Sequence, residues 1–536
     1  MKGLSEEEVE VIKEFCYERG KVHAIAAYGS KVAGYAKPGS DYDILVAIER
    51  AKEKVRYVYE NCEGLNLSML LVDEKALIKD AEKAELGEFV VGRLLNPYLP
   101  LVNEEYWRKV EVAFKKRVIK EELGELADEF NEMALYLKIP LKYFLFSKLK
   151  KRATIYPPAL YSYAMTYSGP RGKDNLRSTL EGFREATKDL ISEGLIEEEG
   201  DTYRLTEKGL SILKSPFFKR KVIQIERGIK QYLVHGIAGK VGFDVVLKET
   251  YSKISRASRF YELPQDLREP KLSLSLIEGD LVFKEGWLEK LGESLGLSKY
   301  FKVEVRPMGS FFSTTYLYKL RDRGKEEKVV VKKFLDFWSI KWIIVGVIAK
   351  PIRPFGVKPM TRLEKEYAAC IELRKAGVLT PKILLVSLRD RVLVKEYVEG
   401  KSLSDFLKLF FSRGEGVDEI SAFVQTLSHA HKAGFGIGDT KPENVIITKG
   451  KPLLVDLEQA EKGGDPSWDV AEFLYYSCWY APSRDKAEEL AKLFVKKYSY
   501  DGEVLRNAAK EKYVLPFRTI APDDMIEAIR GVLKSV

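Results

Sequence analysis

The chain has 536 residues, 45% of them hydrophobic, which gives room for roughly three or four domains that each bury a core. Its 89 Lys and Arg against 80 Asp and Glu leave a formal charge of +9, which permits an acidic partner without demanding one. Cys16, Cys62, Cys370 and Cys478 lie far apart without a C-x-x-C, which argues against a disulfide scaffold or a zinc motif and suits reduced thiols in the cytoplasm.

The start, MKGLSEEEVEVIKEF, reads as an acidic amphipathic helix over residues 1–19, with Val9, Ile12 and Phe15 on one face, rather than a signal peptide. A buried strand (Ala24–Tyr28) then ends at Gly29-Ser30. A loop with Pro38-Gly39 follows, and a second strand carries Asp41 and Asp43 on one face. A small-residue pair before a helix can cradle a phosphate on backbone N–H groups, and paired Asp can hold Mg²⁺ beside it. The run GS…DYD resembles the DNA polymerase β superfamily of nucleotidyltransferases in its minimal form, and implies such a domain over 1–115. That family expects a third carboxylate on a later strand. The candidate strand LNLSMLLV (65–72) offers only Asn66 or Ser68 there. Gly29, Ser30, Asp41 and Asp43 therefore read as a vestigial site, on a fold kept for packing or substrate binding.

Residues 103–150 read as largely helical (116–149 as a linker) and end in a basic patch, Lys148, Lys150, Lys151 and Arg152. A helix over 174–194 closed by Gly194, a hairpin turning near Gly200-Asp201 and the helix EKGLSILK together resemble a winged helix-turn-helix, 150–215. Its presumed recognition helix mixes Arg177, Arg184 and Lys188 with Glu181, Glu185 and Asp189, a poor match to a phosphate backbone. The connector 216–297 is more basic. Lys219, Arg220, Lys221, Arg227 and Lys230 interleave with Phe217, Phe218 and Tyr232. Two readings stay open: contact with RNA backbone and unpaired bases, or a helix whose Val222, Ile223, Ile229 and Leu233 pack inward.

From 298 to 536 the order of elements fits phosphoryl transfer. Two strands flank a turn at Gly309-Ser310, and EKVVVKKF (327–334) is a third strand with Lys332. The helix 362–377 supplies Glu366, preferred to Glu364 from its distance to Gly377. A hinge at Glu396, Tyr397 and Val398 would offer backbone groups to an adenine. Asp439 and Asn444 stand in the frame D-x-x-x-x-N, and Asp456 follows the apolar run PLLV. Kinases need this spacing because one Asp accepts the proton of the attacking hydroxyl while an Asn and a second Asp hold Mg²⁺ on the phosphates.

This part resembles the RIO-like atypical kinases. The resemblance implies that Lys332 and Glu366 pair on the phosphates and that Lys441 neutralises the transferring group. Asp469 would brace the catalytic loop. Departures are clear. MGSFFSTT keeps only Gly309, so Ser310, Ser313 and Thr314 share phosphate contacts. Ile437 replaces a structural His, and Asp456-Leu457-Glu458 replaces Asp-Phe-Gly. No long activation segment follows. The apolar insert 337–349 carries Lys341 and is too short to span a bilayer; it is either an extra helix docking on the middle domains or a completion of the core.

The fold class expected is multidomain α/β and α+β: a nucleotidyltransferase-like domain, a winged helix-turn-helix and a C-terminal RIO-like kinase domain. That combination resembles the archaeal RNA kinases, which implies transfer of the γ-phosphate of ATP, or another nucleoside triphosphate, with Mg²⁺, to a ribose 2′-hydroxyl of tRNA. The alternative is a RIO-type protein Ser/Thr kinase acting on an RNA–protein particle. No membrane or obligate protein partner is expected.

Overall fold

A computed structural model of the chain describes residues 4–157, 159–214, 223, 226–231, 233–234, 264–308, 314–334 and 358–536. Lys219, Arg220, Lys221, Gly309, Ser310, Ser313 and the apolar insert 337–349 lie outside them. The chain divides into two units, Met1–Ser275 and Leu276–Val536. No helix among the described residues is long and apolar enough to cross a membrane.

The N-terminal unit is built on a five-stranded sheet in the order Val55–Cys62, Leu65–Asp73, Tyr42–Ile48, Val22–Tyr28, Leu99–Val102. Tyr42–Ile48 runs parallel to Leu65–Asp73, whereas the other pairs are antiparallel. One sheet face buries Ile25, Ile44, Val46 and Met69 against Ile12 and Cys16 of the helix Glu6–Tyr17, which a Ser5–Glu8 capping box starts.

The stretch 103–150 is largely helical, as expected, in two helices rather than one. A helix Glu104–Phe130 ends at Asn131 (φ +44°), and a 3₁₀ turn and the strand Leu137–Pro140 precede a second helix, Leu141–Ile155. Pro140 explains the restart: without an N–H it cannot continue a helix, yet it fits the position before the first turn.

The expected basic patch is likewise corrected. Lys148 and Arg152, one turn apart, face inward and are 6% and 7% exposed. Lys148 pairs with Glu88 at 2.7 Å and Glu121 at 3.1 Å, and Arg152 pairs with Glu88 at 3.1 Å. Lys151 pairs with Glu122 and Glu125, and Lys150 donates to the Arg268 carbonyl. Burying such cations without carboxylates would be prohibitive, so the acids fix their direction. Arg227, one of the candidates for RNA contact, also turns inward, to Glu121 at 2.7 Å, and Lys230, another, pairs with Glu226. Glu88, Glu121, Lys148, Lys151, Arg152 and Arg227 border a cavity of about 250 Å³.

A helix Gly172–Ser192, a hairpin of Ile196–Glu199 and Thr202–Leu205 turning at Gly200 (φ +60°), and a helix Glu207–Leu213 follow. The mixed charge of the first helix has a structural cause. Glu185, Asp189 and Glu193 pair with Arg108, Lys116 and Lys120 of the helix Glu104–Phe130.

The C-terminal unit opens with a six-stranded sheet ordered Asp280–Val282, Ile383–Ser387, Val392–Glu396, Lys325–Lys333, Thr315–Asp322, Lys302–Pro307. Asp280–Val282 pairs parallel with Ile383–Ser387, so the sheet takes in residues that the sequence left in the connector. Three residues are too few to show a strand's alternation. The helix Pro359–Lys375 lies on this sheet with Glu366 fully buried. The rest is mostly helical, with Val417–Lys432 beside a small sheet of Lys401–Ser402, Val445–Thr448 and Lys451–Leu454, and Pro466–Ser477 beside the strand Phe435–Gly436.

Candidate active site

Strand alternation sets the first half of the site. Val329 and Val331 face the apolar core, which turns Val330 and Lys332 to the other face. Val330 is the register partner of Lys395 on the neighbouring strand, so Lys332 and Lys395 stand on one face. Glu366 reaches down between them. Its Oε2 pairs with Lys332 Nζ at 2.8 Å, and its Oε1 pairs with Lys395. Lys332 also pairs with Asp456 and, at 3.0 Å, with Glu458, whose other cation is Arg362 at 3.4 Å. Burial opposes the charge on Lys332, yet Asp456, Glu366 and Glu458 hold its pKa well above the usual lysine value. Burial opposes ionisation of Asp456 too, and Lys332 outweighs it and keeps that carboxyl below its ordinary value. For Glu458 burial wins and the carboxyl moves up.

The second half is the loop after the helix Val417–Lys432. The Asp469 carboxylate, fully buried, accepts the Ile437 and Gly438 N–H groups, both at 2.6 Å, and His431 Nε2 at 3.0 Å. His431 Nδ1 meets the Tyr498 hydroxyl at 2.7 Å, so an imidazole protonated at Nε2 satisfies both partners. The sequence counted Ile437 as the loss of a structural His. The imidazole instead comes from the preceding helix and meets the same brace. One turn beyond Asp469, Glu472 Oε2 accepts the Thr440 N–H at 2.7 Å, and burial pushes the Glu472 carboxyl up to about 8. These bonds fix the residues on either side of Asp439. Lys441 Nζ donates to Asp439 Oδ1 at 2.7 Å and lies 3.7 Å from Glu472 Oε1. Asn444 Nδ2 donates to the Asp439 carbonyl at 3.2 Å, so its Oδ1 is the atom left for a cation. Asp456 adopts φ +53°, a left-handed turn that Asp tolerates better than most residues.

The structure therefore brings Lys332, Glu366 and Asp456 into direct contact, and likewise Asp439, Lys441 and Asn444. Thr314 gives its carbonyl to the Lys333 N–H. At the hinge the Glu396 N–H is spent on the Lys382 carbonyl, so Glu396 can offer an adenine only its own carbonyl. The donor set of Asp456, Asn444 and Glu458, all oxygens, fits a hard divalent cation such as Mg²⁺. Lys395, Glu458, His431 and Glu472 were missed by sequence reasoning. Only Glu472 had a signal, since D-x-x-E on a helix puts both acids on one face.

The nucleotidyltransferase-like face is set by register. Tyr28, Asp43, Ser68 and Tyr59 are mutual partners across four strands and so share one face. Ser68 thus occupies the place opposite Asp43 where a third carboxylate is expected. Asn66 is exposed and accepts from Asn61 at 2.7 Å, while Asp41 precedes the strand. Gly29 (φ +80°) lies so close that a Cβ would collide with the Asp43 carboxylate. Ser30 follows it in the short helix Gly29–Ala33. Beside this row the Arg93 guanidinium donates to the Tyr28 and Tyr57 hydroxyls, a fixed positive charge that disfavours a dication.

The polymerase beta nucleotidyltransferase family matches residues 10–86. Over 149 residues the chain is 28% identical to the KEOPS complex subunit Bud32 of Pyrococcus abyssi, covering 27% of this chain and 67% of that protein. Over 145 residues it is 30% identical to the serine/threonine-protein kinase cds1 of Schizosaccharomyces pombe, covering 25% of this chain and 31% of that protein. Among solved structures it is similar to WaaP in complex with acyl carrier protein, at 14% identity and a TM-score of 0.28, over 44% of this chain and 96% of that one. It is also similar to the bifunctional kinase-methyltransferase WbdD, at 16% identity and a TM-score of 0.27, over 44% and 52%. The protein has a nucleotidyltransferase-like N-terminal domain and mixed α/β content. One of these relatives, cds1, is by name a serine/threonine-protein kinase, and the chain spans 31% of its length.

Proposed function

We propose that the protein transfers the γ-phosphate of ATP to a ribose 2′-hydroxyl of tRNA. The observation that carries this reading is the brevity of the chain after Asp456. Residues 457–465 lead straight into the helix Pro466–Ser477, and Glu461–Lys462 within them pairs with Phe435–Gly436. That leaves no segment on which an extended peptide would lie, whereas a hydroxyl on a rigid polymer needs only access to Asp439. The resemblance to archaeal RNA kinases names the acceptor.

In this mechanism Lys332, steadied by Glu366, holds the donor phosphates. Asn444 and Asp456 would hold Mg²⁺, which supplies neutralisation of phosphate charge. Asp439 orients the ribose hydroxyl in line and takes its proton as the oxygen attacks the γ-phosphorus. The bond to the β,γ-bridging oxygen breaks and ADP leaves. Lys441, hydrogen-bonded to Asp439, offsets charge on the transferring group. A positioned base contributes roughly 10²–10⁴-fold. Asp439→Asn should therefore lose transfer of label from [γ-³²P]ATP to tRNA by about that factor; full activity in the variant would refute the assignment.

A second reading is a protein Ser/Thr kinase, since one relative, cds1, bears that name. Label appearing in proteins of a cell extract rather than in tRNA would favour it.

A further inference from the structure

We propose that Glu458 is a second carboxylate ligand, beside Asp456, for the divalent cation that accompanies the nucleotide; this rests on the kinase reading of the site. Glu458 stands two residues after Asp456, where the Asp-Phe-Gly pattern has a glycine and no side chain to offer. It is 5% exposed, and a buried carboxylate is costly unless something charged meets it. One oxygen each from Glu366, Asp456 and Glu458 lie within 4.8 Å of one another. The cation among them is the Lys332 ammonium, 2.8 Å from Glu366 and 3.0 Å from Glu458, and paired with Asp456. A compact ammonium held by three carboxylate oxygens stands where a hard dication would find the ligands it prefers.

Nucleotide entry calls for an exchange. Lys332 has to turn towards the donor phosphates, and Glu366 keeps Lys395 as a partner when it does. Asp456 and Glu458 are then left as neighbouring carboxylates, with Arg362 3.4 Å from Glu458 and the charges of Lys395 and Lys441 acting on Asp456 from further off. Two like charges this close in a buried site disfavour one another. A dication bridging them restores the balance and draws the phosphates towards Asp439. Glu458 is therefore a ligand rather than only a counter-ion for Arg362.

The test is Mn²⁺ binding to the full chain by electron paramagnetic resonance, with the non-hydrolysable β,γ-imido analogue of ATP. Glu458→Gln should weaken Mn²⁺ by about tenfold or more, as loss of a charged oxygen ligand does. The same variant should bind the analogue more tightly than wild type when metal is chelated, because a carboxylate facing the phosphates has gone. A merely structural role would not produce these opposite signs. Wild-type Mn²⁺ affinity in Glu458→Gln, alongside a loss in Asp456→Asn, would overturn the proposal while sparing the kinase reading. Unchanged affinity in both variants would sink that reading as well. If Glu458→Gln does not fold, Glu458→Asp keeps the charge that meets Lys332 and Arg362 but withdraws it by one methylene. It should still weaken Mn²⁺ severalfold, and unchanged affinity in that folded variant would overturn the proposal equally.

Discussion

Asp469→Asn isolates the brace under the catalytic loop. The native carboxylate accepts two backbone N–H groups at 2.6 Å and the His431 imidazole at 3.0 Å, all out of solvent. An asparagine keeps the shape but has one oxygen, so its amide must face at least one of those donors. Losing a charge-assisted bond and burying an unpaired donor costs about 3–5 kcal/mol in all. For a unit of this size that is a fall in melting temperature of roughly 6–20 °C. Asp439 lies one residue beyond the braced Gly438, and a displacement of about 1 Å there costs roughly 10²-fold in turnover. Lys332 and Glu366 sit on other elements, so the KM for ATP should stay within a few-fold of wild type. Calorimetry and steady-state transfer with varied ATP provide the readouts. A variant that melts and turns over like wild type would refute the account of this loop, as would one that loses only ATP affinity.

Three more outcomes follow from buried charge. Glu88→Gln would leave Arg117, Lys148 and Arg227 with Glu121 as their shared carboxylate and would remove the carboxylate that Arg152 pairs with. We expect a loss of about 3–5 kcal/mol in the N-terminal unit by denaturant unfolding. Burial opposes ionisation of Glu88, but these cations hold its carboxyl well below the ordinary value. Wild type should therefore lose this stabilisation as pH falls below the usual carboxylate range, and the variant should lack that acid limb; matching acid limbs would contradict it. Glu472, raised to about 8, keeps a proton when folded that the unfolded chain gives up near its ordinary carboxylate pKa. Stability should fall as pH rises towards 8, by about 1.4 kcal/mol per pH unit at most, and Glu472→Gln should flatten that slope; parallel slopes would count against it. Ser68→Asp would set a buried carboxylate opposite the half-buried Asp43. The variant should melt lower than wild type without metal and gain more than wild type on adding Mn²⁺, because only the variant has the added carboxylate; an equal Mn²⁺ gain in the two proteins would count against it.

What the sequence could and could not reveal follows from the range of each interaction. Lys332, Asp439, Asn444 and Asp456 sit in short patterns whose spacing is itself chemical information, and Gly200 marks its hairpin because a left-handed turn favours glycine. Long-range partners carry no such mark. Nothing local announces that Lys395 meets the Lys332 partner Glu366, or that a His six residues before Ile437 reaches Asp469. The four cations at 148–152 looked like a surface patch because Glu88, which draws Lys148 and Arg152 inward, lies about sixty residues away. Asp280–Val282 was too short to read as a strand, and only its pairing with Ile383–Ser387 defines it.

The acceptor is the central claim, and the position of the transferred phosphate tests it directly. Wild-type protein incubated with [γ-³²P]ATP, total tRNA and a protein extract should label the tRNA. After alkaline hydrolysis the label should remain in a resistant dinucleotide, because a 2′-phosphate blocks attack by that oxygen on its own phosphodiester. Label released as a mononucleotide, confined to tRNA ends or carried on protein serine or threonine would contradict the account.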